Sequence, residues 1–323
     1  MPKTIWIVDE VWDNYRIEKE LIAESLSDYA VKFSNKRNYL TDIDRFGGQV
    51  DALIAQIDID ISGDMLEKLP NCKIISVYGT GYDQIDVSAA NEKNILVANV
   101  PDYCIDEVSD HILAFIFHFS KKVSSYKDRV RKGLWGIDAV DRLPTRLHGS
   151  TVFIVGFGKI GRAVATKTAV LGLNIITFDP YVADDDLKPF QATRVAWETG
   201  FKRADYVVVT LRLTEDTRGL IGKTEFDAMQ RHAVLINTSR GEILREDELI
   251  EAVENGDIGG AALDVLSREP PERDDPMLHC EGILVTPHVS YLTKESLAEL
   301  RMKTVNNVIS LLRDNHPLNV VKA

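Results

Sequence analysis

Residues 151–161 of the chain read TVFIVGFGKIG. Four of the first five residues are apolar and four are β-branched, which is typical of a buried strand. Glycines then follow with G-x-G-x-x-G spacing, and a helical pattern over residues 162–171 ends before Gly172. A second apolar run, residues 174–178, comes after that helix. Strand, glycine turn, helix and strand in this order predict a βαβ unit that binds a dinucleotide.

The residues of the glycine turn each have a physical role in this prediction. Gly156 permits the tight turn, Gly158 lets the backbone approach a pyrophosphate, and Gly161 lets the helix pack closely on the strand. The first turn of the helix, with Lys159 and Ile160, presents backbone N–H groups and a positive dipole to the phosphates. We therefore expect the pyrophosphate at these five residues.

Asp179 ends the second strand, 18 residues beyond Gly161. Its carboxylate can accept hydrogen bonds from ribose hydroxyls, whereas a 2′-phosphate would meet a like charge. Residues 180–182 contain no arginine that would receive such a phosphate. The sequence therefore predicts NAD rather than NADP as the cofactor.

The pattern of apolar runs along all 323 residues predicts two α/β domains with parallel sheets. One long helix is predicted over about residues 106–132, and a last helix over about residues 294–313. The predicted strands form an early series at residues 5–8, 52–55, 74–77 and 96–98, and a later series at residues 151–155, 174–179, 206–210, 234–238, 261–264 and 283–285.

Composition and charge exclude several classes of protein. The net charge of −12 and the lack of Lys/Arg runs argue against nucleic acid and anionic membrane as main partners. Three cysteines without C-x-x-C spacing argue against a disulfide framework or a zinc site. The N-terminus has a strand pattern instead of a signal peptide, and the most apolar stretch, residues 112–119, is too short to span a bilayer. We therefore expect a cytoplasmic protein without a metal site.

Three later residues supply the chemistry that hydride transfer to a keto acid requires. A cation must hold the substrate carboxylate, a group that titrates near neutrality must exchange the hydroxyl proton, and an acid must orient that group. Arg240 and His288 each follow the carboxyl end of a predicted strand, and Glu269 lies in the loop after another. Ligands bind at that edge of open α/β sheets. Each residue alone is more often an ordinary loop residue, so the prediction depends on their occurring together beside the dinucleotide motif.

The chain closely resembles the D-isomer-specific 2-hydroxyacid dehydrogenases over nearly its whole length. Besides the glycine motif with Asp179, the resemblance rests on GTGYDQID at residues 79–86, LTEDTRGLI at residues 213–221, NTSRG at residues 237–241, LDVLSREPP at residues 263–271 and VTPHVS at residues 285–290.

This resemblance implies two doubly wound parallel-sheet domains. A Rossmann NAD-binding domain would cover residues 101–290, and a flavodoxin-like, discontinuous substrate domain would cover residues 1–100 and 291–323. It also implies a homodimer formed through the NAD-binding domains. The implied reaction is hydride transfer between NAD(H) and a small D-2-hydroxy acid and its 2-keto acid.

The resemblance further implies a role for each residue of the site. Arg240 would bind the substrate carboxylate and keto oxygen, His288 would be the general acid in reduction and the base in oxidation, and Glu269 would keep His288 protonated. The other implied contacts are Thr210, Thr238, Ser239 and Asp264 with NAD, and Tyr78, Gly79, Thr80 and Tyr291 with the substrate.

Two departures from the family pattern leave alternatives open. Relatives commonly have His-Cys-Pro where this chain has Thr210-Leu211-Arg212, and the added cation bears on the choice between NAD and NADP. Residues 106–111 resemble a subgroup related to the carboxy-terminal-binding corepressors, so an NAD(H)-sensing regulator or scaffold is the alternative function. Formate or phosphite as the hydride donor is a further alternative, although Glu269 argues against formate because that branch typically has glutamine in its place.

Overall fold

A computed structural model describes residues 3–141 and 143–321. The five other residues of the predicted domains, 1, 2, 142, 322 and 323, lie outside this description. The strands are β1 (Lys3–Val8), β2 (Tyr29–Ser34), β3 (Val50–Gln56), β4 (Ile74–Tyr78), β5 (Leu96–Ala98), β6 (Thr151–Val155), β7 (Asn174–Phe178), β8 (Ala192–Arg194), β9 (Tyr206–Val209), β10 (Val234–Asn237), β11 (Gly260–Leu263) and β12 (Ile283–Val285). The α-helices are α1 (Arg16–Ser25), α2 (Tyr39–Phe46), α3 (Gly63–Glu67), α4 (Val87–Glu92), α5 (Ile105–Lys121), α6 (Val123–Arg131), α7 (Lys159–Val170), α8 (Asp184–Leu187), α9 (Trp197–Arg203), α10 (Lys223–Ala228), α11 (Glu246–Glu254), α12 (Pro276–His279) and α13 (Lys294–Asp314).

The first compact unit contains the residues up to Tyr103 and those from Thr293 onward. Its strands form one parallel sheet in the order β2-β1-β3-β4-β5, which is the flavodoxin-like doubly wound arrangement. The central strands are almost wholly buried, because helices cover both faces of a parallel sheet. Helix α13 returns to this sheet, where Ser76 Oγ donates to the Thr304 carbonyl at 2.9 Å.

The second compact unit runs from Cys104 to Leu292. Its strands form a parallel sheet in the order β12-β11-β10-β9-β6-β7-β8. Numbered within the unit, this is the Rossmann order 3-2-1-4-5-6 with β12 added at the far edge, and the order reverses between β6 and β9. Apolar side chains on one face of β6, β9 and β10 pack with Phe201 and Leu249 into a buried core. The predicted fold class, two doubly wound parallel-sheet domains, is confirmed.

The structure corrects the prediction of one long helix over residues 106–132. Lys122 has a left-handed backbone with φ +50°, which ends α5 and separates it from α6. Helix α5 buries one face, whereas α6 buries no side chain. The shared packing face that would keep one helix straight therefore stops before Lys122.

Two strands, β2 and β8, were not predicted. Both lie at sheet edges, and their side chains are mostly half-exposed. Edge strands lack the continuous apolar run that marks a buried parallel strand. The predicted domain boundaries, after residues 100 and 290, lie three and two residues before the breaks between the units, which follow Tyr103 and Leu292.

Candidate functional site

The glycine turn joins β6 to α7 at the point where the strand order reverses. Gly156 has φ +90°, a conformation that residues with a side chain rarely adopt, and a Cβ there would lie 3.0 Å from the Thr210 carbonyl oxygen. Thr210 Oγ1 donates to the Gly156 carbonyl at 2.7 Å, which ties the ends of β6 and β9 together. A Cβ at Gly158 would meet no described atom within 4 Å. Space therefore remains beside the first turn of α7, from Lys159 to Gly161, for a phosphate.

Asp179, directly after β7, contacts this turn. Its Oδ2 accepts the N–H of Phe157 at 2.7 Å, and its Oδ1 accepts the N–H of Tyr181 at 2.9 Å. The half-buried carboxylate thus lies at the carboxyl edge of the sheet beside the glycine turn. This is the position from which an acid in a Rossmann domain can accept ribose hydroxyls.

Arg194, at the end of β8, also contacts the loop that begins with Asp179. Its guanidinium donates to the carbonyls of Asp179 and Val182, and its Nε donates to Asp184 at 2.6 Å. No feature of the sequence places residue 194 beside residue 179. The strand that does so has three residues, of which none is buried.

His288 and Glu269 form a hydrogen-bonded pair in the second unit. His288 Nδ1 lies 2.7 Å from Glu269 Oε2, so Nδ1–H donates to the carboxylate and Nε2 is left to exchange a proton. Burial raises the pKa of Glu269, but the hydrogen bond from His288, the amide of Leu266 and the charges of His288 and Arg240 lower it by more. The pKa of Glu269 is therefore below its usual value, and the carboxylate is ionised at neutral pH.

Arg240 follows β10 in a loop that is held by hydrogen bonds to backbone carbonyls of the same loop. Asn237 Nδ2 donates to the Arg240 carbonyl at 2.8 Å, and Arg240 Nη1 donates to the Ser239 carbonyl at 2.7 Å. A Cβ at Gly241 would lie 2.0 Å from the carbonyl carbon of Leu266. Only glycine therefore lets the Arg240 loop lie against the loop that follows β11, which carries Glu269.

Asp264, at 1% exposure, supports the loop that carries His288. Its carboxylate accepts the hydroxyl of Thr286 at 2.5 Å and the N–H groups of Val289 and Ser290 at 3.0 and 2.8 Å, and its carbonyl accepts the His288 N–H at 2.9 Å. His288 has φ +52°, which is uncommon for a residue with a side chain and is held here by these bonds. The sequence indicated Asp264 as an NAD contact, but it did not indicate this contact with the loop.

His111, on α5, reaches the same loop. Its Nε2 lies 3.1 Å from Thr286 Oγ1, whose own hydrogen is donated to Asp264. His111 must therefore be the donor, which assigns a hydrogen to Nε2. The sequence predicted that His111 lines a packed face, and its ring does pack edge-on against Phe115 at 4.5 Å. No sequence signal links it to Thr286, 175 positions away.

The predicted substrate loop follows β4 in the first unit. Tyr78 is buried, and its hydroxyl donates to Glu18 at 3.1 Å, so its side chain belongs to the interior of this unit. A Cβ at Gly79 would lie 2.4 Å from Ile57 Cγ2, and Thr80 is exposed. Residues Tyr78, Gly79 and Thr80 remain the predicted substrate-binding loop, while the Tyr78 hydroxyl is engaged by Glu18.

The remaining predicted residues lie in the second unit. The Tyr291 ring is perpendicular to the His288 ring at 6.0 Å, and burial raises the pKa of Tyr291, so its phenol stays protonated at neutral pH. Thr238 and Ser239 directly follow β10 at the carboxyl edge of the sheet. Within the ranges 3–141 and 143–321, no cluster of three His, Cys, Asp or Glu side chains is arranged to hold a metal ion, and no helix is long and apolar enough to cross a bilayer.

Comparison with protein families gives a match over residues 113–290. The matching family model is described as "D-isomer specific 2-hydroxyacid dehydrogenase, NAD binding domain". This range covers more than half of the chain and contains the glycine turn, Asp179, Arg240, Glu269 and His288.

Similar proteins match nearly the whole chain. A glycerate dehydrogenase of Methylorubrum extorquens is 32% identical over 87% of this chain and 88% of its own length. A glyoxylate/hydroxypyruvate reductase B of an Enterobacter species is 35% identical over 80% of each chain. The crystal structure of a glyoxylate reductase from Paecilomyes thermophila, 25% identical, has a TM-score of 0.88 and covers 99% of each chain.

Proposed function

Because the chain belongs to the D-isomer specific 2-hydroxyacid dehydrogenase family, we propose that Arg240, Glu269 and His288 are its catalytic residues. The chain is an NAD-dependent oxidoreductase that transfers a hydride between NAD(H) and a D-2-hydroxy acid/2-keto acid pair, and the predicted family, activity and cofactor class are confirmed. The enzymatic function is favoured over the regulatory alternative.

The observation that carries the assignment of catalytic residues is the 2.7 Å bond between His288 Nδ1 and Glu269 Oε2. The ionised carboxylate accepts Nδ1–H and fixes the ring, so Nε2 is the nitrogen that exchanges a proton with a keto oxygen. When bound at the glycine turn, NADH would supply the hydride for C2 of the keto acid. In the oxidative direction, Nε2 accepts the hydroxyl proton of the hydroxy acid.

Arg240 holds the substrate in this proposal. A guanidinium presents paired N–H donors that match the two oxygens of a carboxylate and also polarises an adjacent carbonyl. The other proposed substrate contacts are the backbone of Gly79 and Thr80, and Tyr291. We assign residues 1–100 and 291–323 to the substrate domain and residues 101–290 to the NAD-binding domain.

The second unit has the features that NAD requires. Gly156, Gly158 and the first turn of α7, Lys159 to Gly161, hold the pyrophosphate, while Asp179 accepts the adenosine ribose hydroxyls and selects NAD over NADP. Thr210, Thr238 and Ser239 contact the cofactor from neighbouring strand ends. For Asp264 we propose positioning of the His288 loop, because that loop occupies both of its carboxylate oxygens.

We further propose a cytoplasmic homodimer formed through the NAD-binding domains, without nucleic acid or membrane as a partner. Helix α6 buries no side chain, and Trp135, Ile137 and Leu143 are exposed by 70% or more. Large apolar side chains clustered at a surface are typical of protein interfaces. Sedimentation equilibrium tests this: a monomer, or a dimer that persists when Trp135 and Ile137 are both changed to serine, would contradict the proposed interface.

The test of the catalytic assignment is oxidation of NADH with glyoxylate, hydroxypyruvate, pyruvate, phenylpyruvate, branched 2-keto acids and 2-oxoglutarate. His288→Ala should lower the rate with the best substrate by about 10²–10⁴-fold while NADH affinity, measured by fluorescence titration, is unchanged. His316→Ala, at an exposed residue, is the control. A His288→Ala enzyme with the wild-type rate would disprove the assigned proton donor. NADH binding without turnover of any keto acid would favour the regulatory function.

A further inference from the structure

A buried ion pair lies under the loop that follows β4. The Glu18 side chain is fully buried in the first turn of α1, and the Arg301 side chain, on α13, is 12% exposed. Arg301 Nε donates to Glu18 Oε1 at 2.7 Å and Nη2 donates to Oε2 at 2.6 Å, so the guanidinium binds both carboxylate oxygens. Arg301 Nη2 also donates to the Asn14 carbonyl at 2.6 Å. Nε and Nη2 of the cation are thus engaged by partners from α1 and the loop before it.

A second buried carboxylate accompanies this pair. Asp9, directly after β1, accepts the Tyr15 hydroxyl and Gln56 Nε2, each at 2.7 Å, and is 3% exposed. Asp9, Glu18 and Arg301 together carry a formal charge of −1 at neutral pH. Burial and the neighbouring carboxylates of Glu18 and Asp9 raise the pKa of Tyr78 well above its usual range, which agrees with a negative local environment.

This charged network is connected to the substrate loop. The Tyr78 hydroxyl donates to Glu18 Oε1 at 3.1 Å, and Gly79 is the next residue in the chain. The Trp12 ring meets the Tyr78 ring edge-on at 5.7 Å and lies 5.3 Å from the Arg301 guanidinium.

One polar and one apolar side chain contact the loop itself, and Asn99 Nδ2 donates to the Thr80 carbonyl at 2.7 Å. Ile57 packs against Gly79 and, like Trp12, is half-buried. Lys36, a further cation after a strand of this sheet, is paired with Asp58 at 2.8 Å. The loop thus has the uncharged neighbours Ile57 and Asn99, and the net negative network lies beyond Tyr78.

We infer, on the basis of the proposed function, that the enzyme is selective for 2-keto acids whose C3 substituent is uncharged, and that Glu18 determines this selectivity. Only C2 separates the carboxylate of a 2-keto acid from C3, so a carboxylate held by Gly79 and Thr80 brings the C3 substituent beside the network. A phosphate on C3 is repelled by the net charge of −1 that Asp9, Glu18 and Arg301 carry. Arg301 does not turn toward it, because Glu18 would be left buried and unpaired.

The experiment compares two keto acids that differ only in a phosphate, hydroxypyruvate and 3-phosphohydroxypyruvate. The wild-type kcat/KM should favour hydroxypyruvate by about 100-fold or more, since like charges brought together at a binding site cost several kcal/mol. Glu18→Gln keeps the side-chain shape but raises the local charge from −1 to 0, so it should reduce this preference by about 10-fold, chiefly through the KM of the phosphorylated substrate.

Glu20→Gln is the matched control, because it removes the same charge two positions along α1 from an exposed pair with Arg16. An equal change in both variants would refute the role of Glu18. If the wild-type ratio of kcat/KM for the two keto acids is near one, the selectivity itself is refuted, even if Glu18→Gln does not fold. If the wild-type enzyme reduces none of the keto acids, the proposed function is refuted instead.

Discussion

The buried carboxylate of Asp264 accepts the backbone N–H of Ser290 at 2.8 Å, and thereby holds the loop in which His288 has a left-handed backbone. Asp264→Asn replaces one acceptor oxygen with an NH₂ donor, which faces either the Ser290 N–H or the donors from Thr286 and Val289. We expect kcat to fall by about 10-fold or more, since truncating one partner of a buried, charge-assisted hydrogen-bond set costs about 1.5–3 kcal/mol.

Steady-state kinetics and fluorescence titration of NADH separate the two roles considered for Asp264. A positioning role lowers kcat and leaves the NADH Kd within about twofold, whereas a direct role in NAD binding raises the Kd by a similar factor to the loss in kcat. Asp247→Asn, at an exposed position on α11, serves as the control for the change of charge.

His111 provides a second test of the same loop. In His111→Gln, the side-chain amide can still donate to Thr286, whereas in His111→Phe the ring volume remains but the donor is lost. We expect the phenylalanine variant to lose several-fold in kcat and the glutamine variant to keep most of it, because a net hydrogen bond contributes about 1 kcal/mol. Equal kcat values for the two variants would show that the ring only fills space against Phe115.

Arg240→Lys tests whether the guanidinium fork is needed. The charge is kept but the paired donors are lost, so we expect kcat/KM for the keto acid to fall by about 10²-fold, the loss expected when one of two charge-assisted bonds of about 1.5–3 kcal/mol disappears. Arg231→Lys, at an exposed position, is the control and should leave kcat and KM unchanged. A rise in KM with unchanged kcat would assign Arg240 to substrate binding alone.

The Glu269 carboxylate predicts how stability depends on pH. Its folded pKa is lowered, so its contribution is fully present above the pKa of the unfolded chain, about 4.3, and is lost as the pH falls through the folded value. The Tm of Glu269→Gln should therefore lie below that of the wild type at pH 6, and the two should converge as the pH is lowered toward 3. A difference in Tm that grows on acidification would contradict this assignment.

Asp179 tests cofactor selection. Asp179→Ala removes the carboxylate that repels a 2′-phosphate, and it also removes the acceptor for the Phe157 N–H. The kcat/KM for NADH should therefore fall, and the ratio of kcat/KM for NADH to that for NADPH should decrease by about 10-fold or more. Asp185→Ala, at an exposed position on α8, is the control. A wild-type enzyme that already prefers NADPH would show that Arg212 or Arg194 outweighs Asp179.

Much of the molecule follows from local sequence. The apolar runs of β6 and β12 and the glycines between β6 and α7 are contiguous, and their periodicity specifies strand, turn and helix without help from distant residues. The segments NTSRG and VTPHVS are likewise short and distinctive enough to predict Arg240 and His288 as site residues. The edge strands β2 and β8 were missed because an edge strand does not need the apolar run that marks a central one.

Local sequence is enough to predict the two α/β domains, the dinucleotide turn and the order of the proposed catalytic residues, because each is encoded within a short continuous stretch. Which side chains meet is set by the fold: His111 contacts Thr286, Asp264 contacts the His288 loop, and Glu18 contacts Arg301, 283 positions away. Such contacts depend on how strands and helices pack, and packing distance has no fixed relation to separation along the chain.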